Sequence, residues 1–138
     1  MQMKFHHIGY LVKNISDSIA AFRAMGFNVN KEPMHDPIRK SVIAFLDSGD
    51  NGVCVELIQP ENEVSPIFAL LKKYKNTSYH LCFQTEDIDE DVRELELNGY
   101  MLFKERECAP CIDDGRGDVV FMMNPYIGII ELYKAGNS

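Results

Sequence analysis

A chain of 138 residues, 46% apolar and 25% charged, has the make-up of one ordinary folded domain. It is long enough to bury roughly two-thirds of its unfolded surface without staples. A net charge of −7 with no basic run argues against nucleic acid and anionic membrane surfaces as partners. No apolar stretch approaches membrane-spanning length, and Met1 to His7 lacks the apolar core of a secretory signal, so a cytoplasmic protein is expected.

Residues 5–12 alternate as a strand. Ser16 can cap a helix from about 17 to 25, with Ile15, Ile19 and Phe22 on one side and Gly26 as its left-handed stop. A short strand is expected near 28–31, then strands at 41–47 and 53–58. Gly49-Asp50-Asn51-Gly52 between the last two is a hairpin signal. Ser65-Pro66 opens a linking helix with the apolar stripe Ile67, Leu70, Leu71 and Tyr74.

The plan then repeats. Residues 79–85 form a strand, and Asp87 with Glu90 resembles a capping box. A helix follows, with Ile88, Val92 and Leu95 inward and a stop at Gly99. Residues 101–104 read as a short strand and 105–118 as a loop, ahead of strands at 119–123 and 127–133. The expected organisation is one domain over 1–138: module one at about 4–60, the linking helix at about 65–75, and module two at about 78–134. The fold class is α+β, two βαβββ modules related by a pseudo-twofold, each with one mixed sheet and one helix.

The repeat extends to individual residues. His7-Ile8-Gly9-Tyr10, Ile15, Ile19, Phe22 and Gly26-Phe27 return as His80-Leu81-Cys82-Phe83, Ile88, Val92, Leu95 and Gly99-Tyr100, an offset of 80 − 7 = 73. Glu56-Leu57 returns as Glu131-Leu132, an offset of 131 − 56 = 75. Side chains alternate across a strand. Ile8, Tyr10, Val12, Val55, Leu57, Leu81, Phe83, Ile130 and Leu132 therefore share an uncharged face on which the helices should pack. His7, Glu56, His80 and Glu131 fall on the other.

Burying a lone carboxylate costs several kcal/mol unless it is paired, protonated or coordinated. Two such carboxylates at equivalent places invite one explanation. Two carboxylates and two neutral imidazoles balance one divalent cation, and four ligands on a six-coordinate ion leave open positions in the manner of a catalytic site. Nitrogen and oxygen donors without thiolate suit cobalt, nickel, manganese, zinc or iron(II).

Other chemistry-bearing residues read as ordinary. Cys54 and Cys82 are buried strand thiols, and Cys108-x-x-Cys111 is a single pair in a Pro- and Gly-containing loop. His6 points away from His7 by parity. His35 and Arg116 sit in loops able to reach a substrate.

The motifs His-Ile-Gly-Tyr-Leu-Val-Lys-Asn-Ile at 7–15, Val-Glu-Leu-Ile-Gln-Pro at 55–60, Tyr-His-Leu-Cys-Phe-Gln-Thr-Glu-Asp-Ile at 79–88 and Gly-Ile-Ile-Glu-Leu-Tyr at 128–133 resemble the vicinal oxygen chelate superfamily, the glyoxalase/bleomycin-resistance fold. That resemblance implies metal ligands His7, Glu56, His80 and Glu131. Within the superfamily, Glu56-Leu57-Ile58-Gln59-Pro60 and Ser65-Pro66-Ile67 ahead of Tyr79-His80 are similar to methylmalonyl-CoA epimerase and its relatives. Glyoxalase I (lactoylglutathione lyase) shares the four-ligand set and is the alternative. Asn124-Pro125-Tyr126 departs from both patterns: epimerases usually carry His-Pro-Lys there, and glyoxalase I has an Asp-Pro-Asp-Gly turn.

The implied chemistry is removal of a proton next to a carbonyl through a metal-bound enediolate, with Glu131 and Glu56 as catalytic carboxylates. The implied partners are a small-molecule substrate, an acyl-CoA or a glutathione hemithioacetal, and a second copy in a homodimer. A dioxygenase with two His and one Glu is disfavoured by the second glutamate. A binding or resistance protein without catalysis is the remaining alternative.

Overall fold

The structure, a computed structural model, describes residues 3–49, 52–63, 68–112 and 115–136. Among them are eight strands and three helices in an α+β arrangement. The chain divides into two compact units, His7–Tyr79 and His80–Ser138 joined by Met1–His6.

The first module runs β1 (Lys4–Leu11), α1 (Ile15–Ala24), β2 (Asn28–Asp36), β3 (Ser41–Asp47) and β4 (Cys54–Pro60), followed by α2 (Phe68–Tyr74). The second runs β5 (Thr77–Gln84), α3 (Ile88–Leu97), β6 (Met101–Cys108), β7 (Asp118–Asn124) and β8 (Gly128–Lys134). Strand order is β2-β3-β4-β1 in the first and β6-β7-β8-β5 in the second, the same topology twice. The first and last strands of each module pair in parallel, Ile8 opposite Val55 and Leu81 opposite Ile130. The β2–β3, β3–β4, β6–β7 and β7–β8 ladders are antiparallel.

The helices end as their glycines require. Gly26 has φ +95°, its N–H donates to Arg23 C=O, and Phe27 N–H donates to Phe22 C=O. This is a Schellman stop, closed by Phe22 and Phe27 rings edge to face at 5.1 Å. Gly99 (φ +90°) and Tyr100 repeat it on Glu96 and Leu95.

The starts differ from the sequence expectation. α1 begins at Ile15, and Asn14, not Ser16, is the cap, its Oδ1 accepting from Asp17 N–H. The first helical donor, Ile15 N–H, is satisfied by Gln59 Oε1 at 2.7 Å, which ties α1 to β4. Asp87 caps α3 as expected by accepting from Glu90 N–H. Only that half of the capping box is seen, since Asp87 N–H donates to Thr85 Oγ1 instead.

β2 and β6 are both longer than the sequence predicts, so His35 is a strand residue and 105–108 is strand rather than loop. Each is broken by register shifts, between Val29, Lys31 and Met34 in β2 and between Leu102, Lys104 and Glu107 in β6. The offset is again 102 − 29 = 73, so the bulges themselves are duplicated. A bulge breaks the two-residue alternation, which is why the pattern faded there. The expected cap at Ser65-Pro66, Ile67 of the linking helix and the centre of the Gly49–Gly52 turn lie outside the described residues. Gly49 and Gly52 do close the hairpin with left-handed φ of +73° and +68°.

Two of the helices, α1 and α3, cover most of the uncharged face predicted for them; Leu81, 41% exposed, is left uncovered. Val12, Ile15, Ile19, Ala44, Leu46, Val55 and Leu57 are buried together under α1. Ile88, Val120, Met122, Ile130 and Leu132 do the same under α3, with Met3 packed against them.

Candidate metal centre

With the helices on one face, the opposite face of each module carries the ligand-type residues. In the first module, Gly9 and Glu56 are cross-strand neighbours in the parallel ladder, and His7 lies two residues before Gly9 on the same face. His7 Nε2 stands 3.3 Å from Glu56 Oε1, with side chains 0% and 5% exposed. In the second module, Cys82 is the neighbour of Glu131, and His80 precedes Cys82 by two. His80 Nε2 stands 3.3 Å from Glu131 Oε1, with side chains 0% and 2% exposed. The structure therefore brings together the residues expected within each half, as two buried imidazole–carboxylate pairs of matching geometry.

The spacing within these pairs fits two donors of one ion. A charge-assisted N–H···O bond closes to about 2.7–2.9 Å. Two donors each about 2.1 Å from one ion and at right angles lie about 3.0 Å apart, close to what is seen. Both pairs use the same nitrogen, and the buried residues Ile43, Phe45 and Ile58 in the first module and Val119, Phe121 and Tyr133 in the second share the strand face of the glutamate. A carboxylate so placed, without a cation, would lose several kcal/mol of solvation.

Phe45 and Phe121 were not singled out from the sequence. Phe45 is the cross-strand partner of Glu56, and Phe121 that of Glu131. Their own offset, 121 − 45 = 76, was the available signal. Alternation assigns such residues a face and not a role.

Cys54, on the Glu56 face, is pushed up to about 11 from its ordinary 9.0, by burial first and then by the carboxylates of Glu56 and Asp47. None of the four cysteines is in a disulfide; Cys82 and Cys111 are buried and Cys108 exposed. His6 is half-buried against Tyr133, ring centroids 5.0 Å apart. His35 contacts Glu61 through Nδ1, and Arg116 is exposed. A surface groove of about 620 Å³ along the start of α3 is lined by Glu86, Asp87, Glu90, Asp91 and Glu94 with Lys4, and contains none of the four expected ligands. Among the described residues, no helix is long and apolar enough to cross a membrane.

Residues 6–116 match the family model described as glyoxalase/bleomycin resistance protein/dioxygenase superfamily. The chain belongs to that superfamily. The matched span of this vicinal oxygen chelate family includes His7, Glu56 and His80 and stops short of Glu131. Among curated proteins, none matches the chain.

Solved structures share the superfamily fold over the whole length. A hypothetical protein from Bacillus halodurans superposes with TM-score 0.84 at 23% identity, over 100% of this chain and 98% of that one. Methylmalonyl-CoA epimerase from Mycobacterium tuberculosis gives 0.82 at 19%, over 97% and 89%. A Streptomyces coelicolor methylmalonyl-CoA epimerase variant in complex with 2-nitronate-propionyl-CoA gives 0.81 at 22%, over 99% and 100%. At these identities the likeness is one of fold.

Proposed function

We propose that His7, Glu56, His80 and Glu131 together hold one divalent metal ion, and that the protein removes and returns a proton on a carbon next to a carbonyl, as a methylmalonyl-CoA epimerase does. The observation that carries this reading is the duplicated buried pair: the same nitrogen of each histidine, 3.3 Å from a carboxylate, in both modules. An ion held there would supply Lewis-acid stabilisation of the negative charge that develops on a substrate oxygen.

The remaining work falls to the protein. A carbon acid of this kind must lose its proton at neutral pH, and a carboxylate kept from water is a stronger base than one in solvent. Glu131 takes the proton: the C–H bond breaks and an O–H bond forms on the carboxylate. Inversion requires a proton donor on the other side of the carbon. Glu56, the carboxylate at the equivalent place, would fill that role once it has taken a proton from water, which it passes to the carbon as Glu131 holds the one removed. The apolar residues around each pair keep the charge that develops from bulk water.

The reading rests on the family, on the donor set and on the motifs at 55–60 and 79–88. The experiment is solvent exchange. Methylmalonyl-CoA and the hemithioacetal of methylglyoxal and glutathione are each incubated with metal-loaded protein in deuterium oxide and followed by mass spectrometry. Metal-dependent deuterium uptake next to the thioester carbonyl, lost in His80→Ala, is the expected result. Turnover of the hemithioacetal would assign the glyoxalase I activity instead. Binding without exchange would assign sequestration, and inertness toward both substrates overturns both enzyme assignments.

A further inference from the structure

Each imidazole–carboxylate pair has an aromatic third member. The Phe45 ring lies 5.6 Å from the His7 ring at an interplanar angle of 84°. The Phe121 ring lies 5.5 Å from the His80 ring at 89°. Both phenylalanines are 7% exposed. Phe45 is paired with Glu56 across the β3–β4 ladder, and Phe121 with Glu131 across β7–β8. Each ring therefore reaches its histidine from the far side of the strand that carries the glutamate. The apolar clusters under α1 and α3 contain neither ring, so packing beneath the helices does not account for them.

The geometry gives the rings a task. The second side-chain torsion of histidine is broad, so a buried imidazole with only soft neighbours can turn either nitrogen toward its partner. A perpendicular ring at about 5.5 Å meets the imidazole in the favoured edge-to-face contact and obstructs that rotation. In both pairs Nε2 is the nitrogen that faces the carboxylate. We propose that Phe45 and Phe121 are positioning residues, which fix the imidazoles of His7 and His80 with Nε2 toward Glu56 and Glu131 and so pre-form the ligand set. This inference rests on the reading of those four residues as ligands. It goes beyond that reading in assigning two residues that bind nothing themselves.

The phenylalanines act through the histidines, so the test must read the imidazoles and the ion rather than turnover. In metal-free wild-type protein, nuclear Overhauser contacts between the Phe45 and His7 rings, and between Phe121 and His80, are expected, with imidazole protons displaced by ring current. Phe45→Leu keeps an apolar side chain and removes the ring; the His7 ring protons shift while those of His80 hold. Cobalt(II) affinity by competition then falls roughly 10-fold, the lower end of what loss of an orienting neighbour costs a metal site, and the visible cobalt spectrum changes. Phe45→Tyr, which keeps the ring, restores the spectrum.

Phe121→Leu repeats the experiment on the other half should Phe45→Leu fail to fold. Folded leucine variants that bind cobalt(II) with wild-type affinity and spectrum overturn the proposal. If wild-type protein binds no cobalt(II), the ligand reading fails by itself. The metal-free spectra then decide the positioning role: unchanged imidazole signals in both leucine variants overturn it.

Discussion

Asp36 and Arg39 form a closed lock at the tip of the β2–β3 hairpin. The Asp36 carboxylate accepts from the N–H groups of Ile38 and Arg39 and from Arg39 Nη1 at 2.8 Å, and its side chain is 0% exposed. Breaking a buried pair by removing one partner leaves an uncompensated charge. Asp36→Ala is expected to destabilise the protein by about 3 kcal/mol, read as a lower urea midpoint at unchanged slope.

The cap of α1 separates two readings of the same segment. Asn14→Ala removes the acceptor of Asp17 N–H and should cost about 1 kcal/mol. Ser16 is exposed within the helix, so Ser16→Ala should change stability by less than about 0.5 kcal/mol. Paired denaturation curves check the difference; equal losses would return the cap to Ser16.

Gly117 lets the loop after β6 lie against β8. A Cβ there would stand 2.4 Å from the Tyr133 ring and 2.8 Å from Lys134 O. Gly117→Ala must move the backbone or the ring, and a loss of about 1–3 kcal/mol is expected. Thermal unfolding, together with the Tyr133 ring signals, reports it.

Cys54 should be slow toward alkylation. With its thiol raised to about 11, little thiolate exists at pH 8, and thiolate is the nucleophile. In native protein, iodoacetamide is expected to label exposed Cys108 well before Cys54, with the difference lost in denaturant. The sign for stability follows. Between 9.0 and about 11 the folded thiol keeps a proton that the unfolded one releases, so this contribution is complete below pH 9 and lost as pH rises through that window. Mass spectrometry of labelled peptides, and denaturation at pH 8 and 10, measure both.

Much of the fold is legible in the sequence because it is written twice. Gly26 and Gly99 end their helices where the 73-residue offset places them, and strand parity sorts apolar from ligand-type faces in both halves. The lengths of β2 and β6 are not legible: Val29 to Met34 and Leu102 to Glu107 pass through bulges, where alternation stops carrying face information. The Asn14 cap was missed because Ser16 is an equally good capping residue two positions on, and only the hydrogen bond tells them apart. The histidine–glutamate pairs are visible as residue types in register. Phe45 and Phe121 are not, since their role depends on a ring angle that no spacing records.

The most direct measurement is metal stoichiometry in protein loaded with cobalt(II) and freed of excess by gel filtration, for wild type, His7→Ala and His80→Ala. If the two pairs act as one site, wild type holds one ion per chain, and either single substitution weakens binding by orders of magnitude, because a ligand from each module is required. Two ions per chain, or a His7→Ala protein that keeps its ion at wild-type affinity, would contradict a single four-ligand centre.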